Sequence, residues 1–210
     1  MTVTVGSIKV GFVCKLDLTC QSIHPSDMPW SDSIIEQFGL VDLSTAEESD
    51  FYGPYNTLLF DLFPAAEHFQ ISPQFKRITG SMDFTALYIV YKRKVPVFFV
   101  EIKTYVSLEK LTSRSEADDQ MRQMFIDFTS GHIPIPKLFG ISAMGPVFSV
   151  YELTTENKQL LPLRIDPDVR YLIDTAPKQQ WNYNLMEPDG EARLREIVAE
   201  VKEMALDLTA

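Results

Sequence analysis

The most constraining part of this sequence is the segment from Gly80 to Lys103, in which two apolar runs flank the basic tripeptide Lys92-Arg93-Lys94. Runs of β-branched and aromatic residues on both sides of a short polar break are typical of a β-hairpin. We therefore predict strands at 81–91 and 95–105, joined by a tight turn at the three basic residues. Strands this apolar are expected to lie in the core of a fold.

Three charged residues interrupt these apolar runs: Asp83 in the first strand, and Glu101 and Lys103 in the second. Side chains alternate between the faces of a strand, so Glu101 and Lys103 point to the same face. Burying such ions costs several kcal/mol each unless they pair or bind a metal, which marks the three residues as a candidate site. The same Glu-x-Lys pattern recurs at 156–158 in a polar turn, where both charges are expected to be solvated. It also recurs at 200–202 in a helical pattern, where a spacing of two residues puts the side chains on roughly opposite faces.

The composition limits the class of protein. With 210 residues, of which 45% are hydrophobic, the chain predicts one packed globular domain. It has no charged start followed by an apolar stretch and no apolar run approaching 18 residues, so we expect an intracellular protein without a membrane segment. The two cysteines, Cys14 and Cys20, are expected to be reduced. A glycine-rich phosphate loop, a Ser-His-Asp spacing and a Cys-x-x-Cys pair are all missing from the sequence, which argues against nucleotide-cofactor and nucleophilic-hydrolase functions.

The net charge of −10 argues against binding of long nucleic acids, which usually requires a basic surface. Either the positive charge is concentrated locally, or the ligand is short. If the chain acts on nucleic acid, we expect the pair Lys76-Arg77, together with Lys110, Arg114 and Arg122, to border the cleft that holds Asp83. A local basic rim can attract phosphate despite a negative total charge.

Hydrophobic periodicity predicts a mixed sequence of helices and strands. Before the hairpin described above, the expected elements are strands within 2–20, a short helix at 31–38, a second helix and a short strand at 68–72. The second helix is expected to open with a capping box at Ser44-Thr45-Ala46-Glu47 and to be kinked or restarted at Gly53-Pro54. After the hairpin we expect a helix at 113–130, capped near Ser113 or Ser115 and stopped by Gly131, then a second hairpin at 137–143 and 147–153, and a C-terminal helix at 190–208. This order predicts a mixed central sheet flanked by helices, in the α/β to α+β range.

The placement of Asp83 and of Glu101-Ile102-Lys103 on successive strands, after a helix, resembles the PD-(D/E)XK nuclease superfamily, whose fold is that of restriction endonucleases. The sequence is also similar to poorly characterised fungal members of that superfamily. The resemblance implies an α-β-β-β-α-β core at about 44–154, with an N-terminal strand extension at 1–43 and a C-terminal proline-rich segment and helix at 155–210. One position departs from the pattern: Met82 stands where the family has proline, a residue that supplies no ligand.

The resemblance also implies roles for individual residues. Asp83 and Glu101 would bind Mg²⁺ or Mn²⁺, with the backbone carbonyl of Ile102 as a further ligand, and Lys103 would position or deprotonate the attacking water. Such hard cations prefer oxygen ligands, lower the pKa of their bound water and offset the charge that develops on a phosphodiester. The alternative is that Lys103 only forms a buried ion pair with Asp83 or Glu101.

Two weaker positions follow from the same resemblance. Family members often carry a glutamate on the first helix that points at the metal, and Glu48 is favoured over Glu47, which the capping box explains. Some members carry a glutamine on the helix after the Glu-x-Lys strand, where Gln120 stands. A polar helix surface explains Gln120 equally well.

The function implied is a metal-dependent nuclease that acts on a short or single-stranded nucleic acid. Two alternatives remain open: an inactive nuclease-like scaffold that binds a protein partner, and an acidic inhibitor that mimics nucleic acid. The aromatic cluster Trp181-Asn182-Tyr183 could stack on a base, but anchoring of the C-terminal segment is the favoured interpretation.

Overall fold

The computed structural model describes residues 30–77, 84–168, 170–171 and 173–208. The strands expected within 2–20, the cysteines Cys14 and Cys20, and Asp83 all lie outside the described residues. Within these ranges the chain forms α1 (Asp32–Leu40), α2 (Tyr52–Leu62), β1 (Phe69–Arg77), β2 (Phe84–Lys92), β3 (Val95–Lys103), α3 (Leu111–Phe128), β4 (Lys137–Met144), β5 (Val147–Thr154), β6 (Gln159–Leu161), β7 (Tyr183–Asn184) and α4 (Pro188–Met204).

The seven described strands form one mixed sheet, in which six follow the order β1-β2-β3-β4-β5-β6. The short strand β7 also pairs with β5. The strands β1, β2 and β3 are successive antiparallel neighbours. The helix α3 then connects β3 to β4, which runs parallel to β3. A second hairpin joins β4 to β5. The expected mixed sheet flanked by helices is therefore confirmed.

The β2–β3 hairpin is confirmed, with strands that differ by a few residues from the expected ranges. Arg93 and Lys94 form its turn with φ values of 51° and 69°. Two successive residues in the left-handed region match the twist of the flanking strands in a two-residue hairpin. The resulting register places Leu87 opposite Glu101 and pairs Glu101 with β4 on its other side. The Glu-x-Lys strand thus lies in the middle of the sheet.

Helices cover both faces of the sheet. On the face that carries Phe99, Glu101 and Lys103, called the Glu101 face below, α3 packs through Phe125, whose ring centroid lies 4.8 Å from that of Phe99. A Cβ at Gly140 of β4 would lie 2.5 Å from the Phe99 ring, so glycine allows this close packing. On the opposite face, Phe63 at the end of α2 contacts Phe98 at 5.4 Å.

The opposite face is completed by the N- and C-terminal helices. Trp30, immediately before α1, donates its indole N–H to the Leu185 carbonyl at 2.7 Å, which ties α1 to the segment before α4. Lys137 of β4 binds Glu200 of α4 at 2.9 Å. Hydrophobic residues from both of these helices, from α2 and from the sheet form one buried core.

The predicted start of the second helix at Ser44 is wrong. The Asp42 side chain accepts hydrogen bonds from the Ser44 backbone N–H at 2.9 Å and from the Ser44 hydroxyl at 2.8 Å, so Ser44 does not form the expected capping box with Glu47. A 3-10 turn at Glu48–Phe51 follows instead, and α2 begins only at Tyr52. The predicted restart near Gly53-Pro54 is confirmed, because proline is tolerated in the first turn of a helix.

The boundaries of the later helices also shift. The helix α3 begins at Leu111 after Lys110, not at Ser113 or Ser115, and ends at Phe128. The Thr129 hydroxyl donates to the Phe125 carbonyl at 2.6 Å, which ends the helix before Gly131. The C-terminal helix spans 188–204 instead of 190–208, with proline in its first turn.

Candidate active site

Glu101 is a fully buried carboxylate in the centre of the sheet. Its exposed fraction is 0%, and neither carboxylate oxygen has a hydrogen-bond partner among the described residues. The Lys103 Nζ atom lies 3.7 Å from Glu101 Oε1. This separation allows an ionic contact but exceeds the usual hydrogen-bond distance. The carboxylate is therefore only partly compensated, although a buried charge normally requires full pairing.

The surroundings of Glu101 perturb its protonation strongly. Burial raises the pKa of Glu101 to about 7, an effect that the positive charge of Lys103 opposes and the negative charge of Glu48 reinforces. Desolvation disfavours the ionised form of a carboxyl group, and a neighbouring like charge does the same. Such a combination of burial and specific charges is typical of functional sites, although structural ion pairs can also produce it.

Lys103 occupies the end of the same strand. Its side chain is 10% exposed, compared with 0% for that of Glu101. The backbone carbonyl of Lys103 accepts a hydrogen bond from the Gly145 N–H at 2.9 Å, which fixes the strand end against the β4–β5 turn. The Lys103 side chain is therefore nearly buried beside Glu101, and the small exposed fraction is its access to solvent.

Glu48 lies near enough to Glu101 to affect its pKa, whereas Glu47 is exposed to solvent. Glu48 is half-buried in the 3-10 turn before α2, and this turn contacts β3. Burial and the charge of Glu48 raise the pKa of Tyr52 to about 12. The preference for Glu48 over Glu47, and a role for Glu48 in metal binding, both stay predictions.

The remaining predicted site residues are placed less specifically. Ile102 pairs with Ala86 on β2 and Ala143 on β4, so its main chain lies inside the sheet. Gln120 is half-buried on α3, the helix that packs on the Glu101 face. Asp83 immediately precedes β2 but lies outside the described residues, so its approach to Glu101 stays a prediction.

A row of polar residues crosses the Glu101 face, which the sequence analysis missed. Glu101 pairs with Ser142 on β4, and Ser142 pairs with Ser149 on β5. All three residues are at most 1% exposed. The available signal was a single serine in each of two mainly apolar strands, but only the register shows that the two serines align with Glu101.

Arg114 and Arg122 do not form the expected basic rim. Arg114 is buried and donates to the carbonyls of Ala176 and Leu108, both at 2.9 Å, and to the Asp174 carboxylate at 2.6 Å. Each of its donors is therefore directed at the protein interior and the C-terminal segment. The side chains of Lys76 and Arg77 lie outside the described residues, and Lys110 is exposed.

Arg122 belongs to a buried network between α3 and β5. It binds both carboxylate oxygens of Asp118, at 2.7 and 3.0 Å, and Asp118 also accepts from the Tyr151 hydroxyl at 2.8 Å. Gln180 donates to the same hydroxyl at 2.6 Å. Burial, followed by the charge of Asp118, raises the pKa of Tyr151, so the phenol remains a neutral donor. Helical spacing is consistent with the Asp118–Arg122 pair, four residues apart on α3, but it could not reveal Tyr151 or Gln180, which come from distant parts of the chain.

The aromatic cluster near the C-terminus anchors the chain, as expected. Trp181 is buried in a small apolar cluster that includes Met144 and Leu108. Tyr183 is half-buried and stacks on Phe148 with ring centroids 5.4 Å apart. Neither ring is displayed on the surface as a platform for a base.

The described residues include no group of three or more His, Cys, Asp or Glu side chains that could hold a metal ion. Glu101 and Glu48 are coupled electrostatically. Glu101 fits a divalent cation, because its buried oxygens have no hydrogen-bond partner in the part of the chain that the structure describes and its negative charge is only partly offset. Oxygen ligands of this kind suit Mg²⁺ or Mn²⁺.

Comparison with known proteins found no matching family model, no matching curated protein and no matching solved structure. Among the helices of the described residues, none has the length and apolar character needed to cross a bilayer.

Proposed function

We propose that this chain is a metal-dependent phosphodiesterase of the PD-(D/E)XK type, which hydrolyses nucleic acid. The observation that supports this most is the state of Glu101: a fully buried carboxylate with no hydrogen-bond partner among the described residues, and with a lysine on the same strand face. A purely structural ion pair is stabilising only with good geometry and satisfied hydrogen bonds. The 3.7 Å separation from Lys103 does not meet that requirement.

Each residue of the proposed site has a distinct role. Glu101 and Asp83 would hold Mg²⁺ or Mn²⁺, with Glu48 and the Ile102 carbonyl as further ligands. A bound cation of this type lowers the pKa of its water and stabilises charge on the phosphodiester. Lys103, at the nearly buried end of the strand, would orient the attacking water or accept its proton. Gln120 would contact the substrate or water from α3.

The proposed substrate is a short or single-stranded nucleic acid. The net charge is −10, and the guanidinium groups of Arg114 and Arg122 are bound to the protein's own carbonyls and carboxylates. Few strong phosphate contacts therefore remain on α3. Affinity for a long duplex depends on many such contacts, so it should be weak.

Cleavage assays test the proposal directly. Labelled single- and double-stranded DNA and RNA would be incubated with Mn²⁺ or Mg²⁺ and the unmodified protein, Asp83→Ala or Glu101→Gln. Glu156→Gln is the matched control, because Glu156 belongs to the same tripeptide pattern but is exposed. The unmodified protein and the control should cleave, and the other two variants should not. Equal activity of all four proteins, or none with any substrate, would reject the proposal.

A second candidate function is a nuclease-like scaffold that binds a protein partner. Two observations favour it: the internal pairing of Arg114 and Arg122, and the exposed apolar side chains of Leu161, Leu163 and Ile165. An exposed apolar segment can contribute to a protein interface. Calorimetric titration with Mn²⁺ separates the two functions, because an inactive site closed by an ion pair should take up no metal.

A further inference from the structure

Ser142 is the central member of the buried polar row on the Glu101 face. It lies between Glu101 on β3 and Ser149 on β5, paired in register with both. Its exposed fraction is 0%, and its hydroxyl has no hydrogen-bond partner among the described residues. A buried hydroxyl without a partner is destabilising, so native proteins rarely retain one without a reason.

The unpartnered atoms of the row are neighbours. Adjacent strands lie about 4.8 Å apart, and residues paired in register project from the same face. The Ser142 hydroxyl and both Glu101 oxygens therefore occupy one buried polar region, yet no direct hydrogen bond joins them. When two polar groups lie close but beyond direct contact, a bridging molecule often satisfies both.

We infer that Ser142 is a positioning residue of the metal site, whose hydroxyl hydrogen-bonds a water carried by the cation that Glu101 holds. This inference rests on the proposed function. Mg²⁺ and Mn²⁺ usually keep several of their waters when a protein binds them. Groups that hydrogen-bond such a shell orient the ligands, and removing them typically weakens metal affinity by about 10- to 100-fold.

The neighbouring serine provides a matched control. Ser149 is equally buried, in the same row and on the same face, but one strand farther from Glu101. Both Ser142→Ala and Ser149→Ala remove one hydroxyl from a strand interior. Ser142→Cys is a further variant that nearly keeps the side-chain volume but replaces the hydroxyl with a weakly hydrogen-bonding thiol.

The experiment combines two measurements on the full chain. Calorimetric titration with Mn²⁺ gives the dissociation constant, and thermal denaturation in EDTA gives the stability without metal. In Ser142→Ala, and to a lesser degree in Ser142→Cys, the Mn²⁺ dissociation constant should rise by about 10- to 100-fold. The melting temperature in EDTA should stay equal or increase, because an unpartnered hydroxyl has been removed. Ser149→Ala should bind Mn²⁺ as the unmodified protein does.

The outcomes separate this inference from the proposed function. Failure of the unmodified protein to bind Mn²⁺ would overturn the proposed function and the inference together. Equal Mn²⁺ affinity of the unmodified protein and Ser142→Ala would overturn the inference alone. A lower melting temperature in EDTA with unchanged Mn²⁺ affinity would assign Ser142 a structural role and also overturn it.

Discussion

Replacing Glu101 with glutamine tests how strongly folding raises the pKa of this carboxyl group. The pKa of Glu101 rises from an ordinary value of 4.5 to about 7 in the folded protein. Between these pH values the folded state holds a proton that the unfolded chain has released. The free energy of unfolding should therefore fall as the pH rises from about 4.5 to 7, and should stay constant above that range as far as this group is concerned.

The size of the effect follows from the shift. One pKa unit corresponds to about 1.4 kcal/mol, so the rise from 4.5 to about 7 corresponds to at most ~3.5 kcal/mol. Glutamine has nearly the same shape and cannot ionise. In Glu101→Gln, this contribution to the pH dependence should disappear, whatever the substitution does to the absolute stability through loss of the Lys103 contact.

Urea denaturation in EDTA, repeated between pH 4 and pH 8, measures the difference. The exposed Glu156→Gln serves as the control and should follow the unmodified protein. Addition of Mn²⁺ should stabilise the unmodified protein more at pH 8 than at pH 5, since a cation competes with the proton on Glu101. If the free energy of unfolding depends on pH in the same way in the unmodified protein and in Glu101→Gln, the pKa of Glu101 is not raised by folding and the prediction is wrong.

Three further substitutions test other parts of the structure. If Lys103 is catalytic, Lys103→Met should reduce the cleavage rate by about 10²–10⁴-fold while the protein still folds. If the free energy of unfolding measured in urea instead falls by about 3–5 kcal/mol, Lys103 belongs to a structural ion pair. Asp118→Ala leaves a buried guanidinium unpaired and should cost about 3–5 kcal/mol by the same assay, whereas Asp119→Ala, which breaks an exposed pair, should cost about 1 kcal/mol or less. Gly140→Ala places a Cβ 2.5 Å from an aromatic ring atom and should lower stability by about 1–3 kcal/mol; an unchanged melting curve would contradict the tight packing of α3.

The sequence alone predicted the elements whose signals are local. The β2–β3 hairpin follows from two apolar runs and a basic break, and Glu101 was conspicuous because a carboxylate is unusual in such a run. The capping box was wrong because Asp42, which lies before the motif, competes for Ser44. A short motif gives no information about a competing acceptor outside it.

Contacts between distant segments could not be predicted in the same way. Ser142 aligns with Glu101 only through the pairing of β3 with β4, and that pairing depends on the α3 connection. Likewise, the local pattern predicts that Arg114 is a surface cation on a polar helix. In the structure its guanidinium donates to Asp174 and Ala176, some sixty residues later in the chain. Register and long-range packing determine such positions, and neither is written in the local residue pattern.

The internal pairing of the α3 arginines bears on how the chain can be divided. A fragment that ended at Thr154 would contain every element of the expected core at 44–154. However, it would strip β6 and β7 from β5 and leave the Arg114 guanidinium without Asp174 and the Ala176 carbonyl. Such a fragment would expose the apolar edge of β5 and would leave the Arg114 guanidinium, which is buried in the full chain, without its partners. We expect it to aggregate when expressed alone. The C-terminal segment is therefore an integral part of the fold and not a removable tail.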